Sequence, residues 1–96
     1  MIGATLLAAA LAYPCAAADL ALGAYLSGEC VGCHQLSGKA AGGVPSIVGI
    51  PEGSLAAALF AYKNGMRENP VMRNIAGRLS EEEIAALAAF FASKKP

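Results

Sequence analysis

The sequence predicts a small all-α domain of three helices joined by two loops. Three observations carry that expectation. Apolar residues recur at helical spacing in three separate stretches, start and stop signals bracket those stretches, and no run alternates apolar and polar residues for long enough to propose a strand. A chain of 96 residues has the length of one domain, and a hydrophobic content of 56% is too high for a disordered one.

The first helix is expected over residues 19–28 or slightly beyond, with Leu22, Tyr25 and Leu26 on one face. It leads directly into Cys30. Residues 37–49 read SGKAAGGVPSIVG, a Gly- and Ser-rich loop with too little bulk to pack alone, so it must wrap something. Gly38, Gly42 and Gly43 fit neither of the phosphate-cradling glycine patterns. The second helix begins near Pro51 or Ser54, carries Leu55, Ala58, Leu59 and Tyr62 on one face, and stops at Asn64-Gly65, a favourable C-terminal cap. A second loop over residues 66–79 follows. The third helix has the clearest start: Ser80 as N-cap, Glu83 three residues on to complete a capping box, and Leu79 with Ile84 as a hydrophobic staple. Its core stripe is Ile84, Leu87, Ala88 and Phe91. Glu81, Glu82 and Glu83 in the first turn and Lys94 and Lys95 in the last both complement the helix dipole.

Composition excludes several function classes. Seven basic residues balance seven acidic ones without a basic tract, which leaves no electrostatic footprint for nucleic acid. One His and scattered carboxylates supply little for a general acid and base pair, so hydrolytic or proton-transfer chemistry is not expected. Any chemistry has to be borrowed from a bound group.

Residues 1–18 (MIGATLLAAALAYPCAAA) carry no charge, contain an apolar run over 2–12 and end in Ala16-Ala17-Ala18, a small-x-small cleavage site. They are expected to be a signal peptide cleaved after Ala18. That places the working domain at residues 19–96 and in the periplasm, with a retained membrane anchor as the alternative. A lipid at Cys15 fits poorly, because Tyr13-Pro14 stands where small residues are needed. So short a mature chain needs a staple. Cys30 and Cys33 alone remain, too close in sequence to tie distant segments by a disulfide.

Cys30-Val31-Gly32-Cys33-His34 is a C-x-x-C-H motif, the attachment site of c-type haem. Two thiols three residues apart can each add across one of two neighbouring vinyl groups, and the adjacent His is then delivered beneath the porphyrin as the proximal iron ligand. A thioredoxin-type dithiol would need a preceding strand and a βαβ context. A structural zinc site would need four ligands where the exported chain offers two Cys and one His. His34 is the single His, so a second His cannot fill the sixth position. The candidates are Met66, Met72 or an open site. Met66 follows a helix-capping Gly, whereas Met72 lies mid-loop where it can be swung across a haem face, so position favours Met72. An open site would instead make a five-coordinate haem protein that binds a small gas, and a non-haem thiol or metal-binding module is the further rival.

With these residues in view, residues 19–95 resemble a class I cytochrome c, a small all-α fold of three main helices and two loops wrapped around one covalently bound haem. The segments VPSIVGIP, AYKNGMR and PVMRNIAGRLSEEEIAALAAFFAS resemble in particular the small cytochrome subunit of flavocytochrome c sulfide dehydrogenases. The resemblance implies haem c on Cys30 and Cys33, iron ligation by His34 and Met72, and Pro45 as the residue whose carbonyl accepts a hydrogen bond from the proximal His. It further implies a non-catalytic carrier of single electrons between redox partner proteins, a flavoprotein dehydrogenase among them. Residues 31–79 hold Lys39, Lys63, Arg67, Arg73 and Arg78 against Glu52 and Glu68. That local excess suits either steering toward an acidic partner surface or neutralisation of haem propionates.

Overall fold

The computed structural model describes residues 19–40 and 42–95, so the expected signal peptide lies outside the described residues. Helix α1 (Leu20–Leu26) starts where the Asp19 side chain accepts from the Leu22 amide at 2.9 Å. It ends at buried Ser27, whose hydroxyl donates to the Ala24 carbonyl at 2.7 Å. A single turn, α2 (Gly28–Val31), continues it and carries Cys30. Next come a long glycine-rich loop and helix α3 (Glu52–Lys63). Helix α4 (Pro70–Gly77) follows, then helix α5 (Glu81–Ala92). The described residues form no strand, and none of their helices is long and apolar enough to cross a membrane.

Helix α5 is the centre of the core. Ile84, Leu87, Ala88 and Phe91 are all buried, joined by Phe90, and Val48, Leu55, Leu59, Ala76 and Leu79 pack into the same cluster. The Ser80–Glu83 capping box is complete, with the Glu83 amide donating to Ser80 Oγ at 3.1 Å and the Ser80 amide donating to Glu83 Oε1 at 2.9 Å. The helix ends at Ala92, however, so Lys94 and Lys95 lie beyond its last turn rather than in it. Lys94 instead sets its ammonium over the Phe90 ring at 4.6 Å.

Helix α1 crosses α5 at Gly23. A Cβ at that position would fall 2.7 Å from Phe90 Cβ and would also collide with the Ala86 carbonyl oxygen, so the crossing distance depends on a hydrogen side chain. The close contact also sets the inward side of α1, where Gly23 is buried and Leu22 and Leu26 are half-buried, with buried Ser27 just past its end. Tyr25, expected on that face, is 82% exposed. Tyr25 does not join the buried stripe because glycine makes the nearest approach.

The second loop contains a helix. Asn69 is extended and its side chain accepts from the Met72 amide, while Pro70 occupies the first helical position, where its missing N–H costs nothing. Met72, Ile75 and Ala76 then turn inward at i, i+3 and i+4. Helix α3 stops as expected at Asn64, with Gly65 at φ +78°: the Met66 amide reaches the Ala61 carbonyl at 2.7 Å and the Gly65 amide reaches the Tyr62 carbonyl at 3.2 Å, a Schellman ending. Lys63 ties the two helices together. Its ammonium donates to the carbonyls of Gly77, the last residue of α4, at 3.3 Å and of Leu79 just beyond it at 2.6 Å.

Candidate functional site

The turn after α2 is built from backbone bonds: the amides of Cys33 and His34 both donate to the Cys30 carbonyl, at 3.1 and 2.7 Å. They turn Cys33 and His34 toward a cavity of about 440 Å³ that opens beside α2. One wall consists of Cys30, Cys33 and His34, and Val44, Pro45 and Ile47 of the loop add to it. Leu55, Ala58, Leu59 and Tyr62 of α3, with Leu87 and Phe91 of α5, form the apolar floor. Val71, Met72 and Ile75 of α4 complete the lining, with Asn69 and Arg67 at its polar margin.

All five residues singled out in the sequence, Cys30, Cys33, His34, Pro45 and Met72, therefore meet at one cavity. Met66 does not. It is 79% exposed and contributes nothing to the lining.

His34 Nδ1 lies 2.7 Å from the Pro45 carbonyl oxygen. A carbonyl can only accept, so Nδ1 is the protonated ring nitrogen and Nε2 keeps its lone pair free. A metal-ligating imidazole needs that arrangement. Met72 is half-buried and supplies a soft thioether. No disulfide joins the two thiols, Cys33 being exposed and Cys30 half-buried. Burial first, and the neighbouring Glu29 carboxylate second, push the Cys30 thiol up to about 11. That is opposite to the lowered value of a redox-active dithiol. Among the described residues, no group of three or more His, Cys, Asp or Glu side chains gathers as a metal site would require. An apolar chamber with paired thiols, a tautomer-fixed imidazole and a thioether on its walls fits a haem.

A profile of the cytochrome c family matches residues 20–95. The chain belongs to the cytochrome c family. Its cofactor is accordingly one haem c, attached through Cys30 and Cys33, and its helical architecture is the small class I fold. Among related cytochromes, the chain is 37% identical over 70 residues to a protein from Thiomonas intermedia named thiosulfate dehydrogenase electron acceptor, covering 71% of this chain and 32% of that one. It is 38% identical over 69 residues to the cytochrome subunit of sulfide dehydrogenase from Chlorobaculum tepidum, covering 72% of this chain and 63% of the relative. Cytochrome c-554(548) of Halomonas halodenitrificans is 32% identical over 83 residues, covering 82% of this chain and all of its own length. The chain thus spans about a third of the thiosulfate dehydrogenase acceptor and under two thirds of the sulfide dehydrogenase subunit.

The structure redistributes the basic residues that the sequence grouped around the second loop. Arg67 stacks on the Tyr62 ring, its guanidinium carbon 4.7 Å from the ring centroid, and lines the cavity. Arg78 pairs with Glu29 at 3.5 Å on the surface, and Lys63 is engaged with backbone carbonyls. Sequence reasoning missed Asn69. The signal was there, since Asn followed by Pro is a helix start.

Proposed function

We propose that this cytochrome c is a monohaem carrier of single electrons in the periplasm, with its iron held between His34 Nε2 and the Met72 thioether. The supporting observation is the convergence of Cys30, Cys33, His34 and Met72 on one apolar cavity, with the His34 ring pinned by Pro45. When bound, the haem supplies a one-electron ferric/ferrous couple. The chain's residues tune and protect that couple. The Pro45 carbonyl takes the Nδ1 proton of His34 as a hydrogen bond, which fixes the ring and raises the basicity of Nε2. Met72, a neutral soft donor, favours the ferrous state and so a high potential. Leu55, Leu59, Leu87 and Phe91 keep water from the floor. With His34 and Met72 both holding the iron, no ligand position would be left for substrate, and the exposed margin would serve partner proteins.

The uncharged leader over residues 1–18 supports export. The relatives' names support an electron donor of the dehydrogenase kind acting on a reduced sulfur compound, and the sequence resemblance points within that kind to a flavoprotein sulfide dehydrogenase. Of the five basic residues over 31–79, Lys39 and Arg73 are exposed and take part in none of the contacts that engage Lys63, Arg67 and Arg78, and they suit an acidic partner surface.

The test is spectroscopic. Protein matured in a competent host should keep one haem under denaturing mass spectrometry. Changing Met72 to Ala should abolish the near-infrared thioether-to-ferric-iron band, lower the potential and admit cyanide or carbon monoxide, while Met66→Ala keeps the band. A band that survives in Met72→Ala would remove Met72 from the iron.

A further inference from the structure

We propose that Asn69 is the positioning residue of the sixth-ligand side, holding the Met72 thioether over the cavity through the N-cap of α4. This rests on the His34/Met72 ligation proposed above. Asn69 Oδ1 accepts a hydrogen bond at 3.0 Å from the backbone amide of Met72 itself, and Asn69 also lines the cavity. The cap is therefore bonded to the ligand residue, at the wall of the ligand's own chamber.

Three features make this bond decisive for Met72 rather than for the helix in general. Met72 is the third residue of α4 and lies in its first turn, which frays first when a cap is lost. Pro70 brings no N–H to that turn, and the Arg73 amide already reaches the Asn69 carbonyl at 2.8 Å, so the Asn69 side chain supplies the hydrogen-bond partner of the Met72 amide. Upstream, only residues 66–68 separate Asn69 from Gly65, and the Met66 amide there is bonded to Ala61 of α3. The cap is thus anchored to the helix that forms the cavity floor. Fraying at this point displaces the thioether directly, whereas fraying at another helix start would lower stability without touching the iron.

The experiment uses the mature holoprotein and cyanide binding to its ferric form, with the near-infrared thioether band as a second readout. Asn69→Ala should raise the cyanide binding constant about fivefold, the factor to which a typical N-cap contribution corresponds. Asn69→Ser, which can make the same bond, should stay within about twofold of the parent, because Ser and Asn cap comparably. Ser80→Ala removes the equivalent cap from α5, away from the cavity; it should lower the melting temperature and leave cyanide binding unchanged. Parental cyanide binding in Asn69→Ala, or equal loosening in Ser80→Ala, overturns the proposal. If Met72→Ala admits cyanide and Asn69→Ala does not, only this inference falls. If Met72→Ala leaves cyanide binding unchanged, the ligation reading falls and takes this inference with it.

Discussion

His34 stands just past a single helical turn, ahead of a loop that reaches Pro51 with Gly38, Gly42, Gly43 and Gly49 all at positive φ, whereas Met72 stands in the first turn of an eight-residue helix tied at both ends. On the His34 side the defining bond spans eleven residues, from Nδ1 to the Pro45 carbonyl, and the loop between contributes few apolar side chains to the core. On the Met72 side, Asn69 holds the start of α4, Lys63 holds its end, and Ala76 beneath it is fully buried. The α4 wall is supported by neighbouring protein. The other is a backbone scaffold that needs an occupant to close around. A small domain can therefore split its order between the chain and the cofactor, leaving the half that carries the covalent bonds as the half that depends on them.

The most drastic way to break that division is to withhold the haem. Chain produced without maturation should lose most of its helical signal in far-ultraviolet circular dichroism, because the centre of a core this small is gone. Any amide protection that survives hydrogen exchange should lie in α3, α4 and α5 and at Gly49, whose amide donates to the Phe91 carbonyl of α5, and none in residues 35–44. Protection of that loop in the haem-free chain would show that the His34 side is self-supporting after all.

A smaller effect is expected where the Met72 side is self-tied. Lys63→Met keeps most of the aliphatic stem but leaves the Gly77 and Leu79 carbonyls without their ammonium donor. The Leu79 bond is partly buried, so the loss should be about 1–2 kcal/mol, below that of a fully buried charged pair. It should appear as a lower denaturation midpoint with the thioether band retained, since the start of α4 is untouched. A change confined to the band, without loss of stability, would place the tie at the iron instead.

The same contrast governs what could be read in the sequence. The capping box at Ser80 and the stripe of α5 were legible because both signals are local, and Asn64-Gly65 ended α3 for the same reason. Helix α4 was not, although Asn69-Pro70 announced it: eight residues with a glycine at the end and three inward side chains present too short a period to stand out from a loop. On α1, Leu26 packs inward as expected but Tyr25 does not, because the contact with α5 is made by Gly23 and hydrophobic periodicity gives no weight to a residue that packs through its lack of a side chain. At the site, Cys30, Cys33 and His34 were legible from contiguous spacing, which chemistry itself imposes. Pro45 came through resemblance alone, because a carbonyl eleven residues away leaves no local mark. Met72 was chosen over Met66 by position in the chain, and the two prove to differ in the property that position stood for: one faces the cavity and the other faces solvent.

The smallest effect should come from Pro45, despite its place beside the His34 ring. The group that touches His34 is the backbone carbonyl, which every residue possesses, so Pro45→Ala leaves the acceptor in place. The ring's contribution is to narrow the backbone choices of an otherwise glycine-rich loop, an effect exerted largely on the unfolded chain and worth about 0.4–1 kcal/mol. Stability should therefore fall by less than it does in Lys63→Met, and the reduction potential should stay close to the parent's because the Nδ1–H bond persists. Denaturation of the holoprotein and a redox titration separate the two quantities. If the potential fell clearly while stability held, the proline ring would be steering the carbonyl onto His34, and the His34 side would own a local support that its loop otherwise lacks.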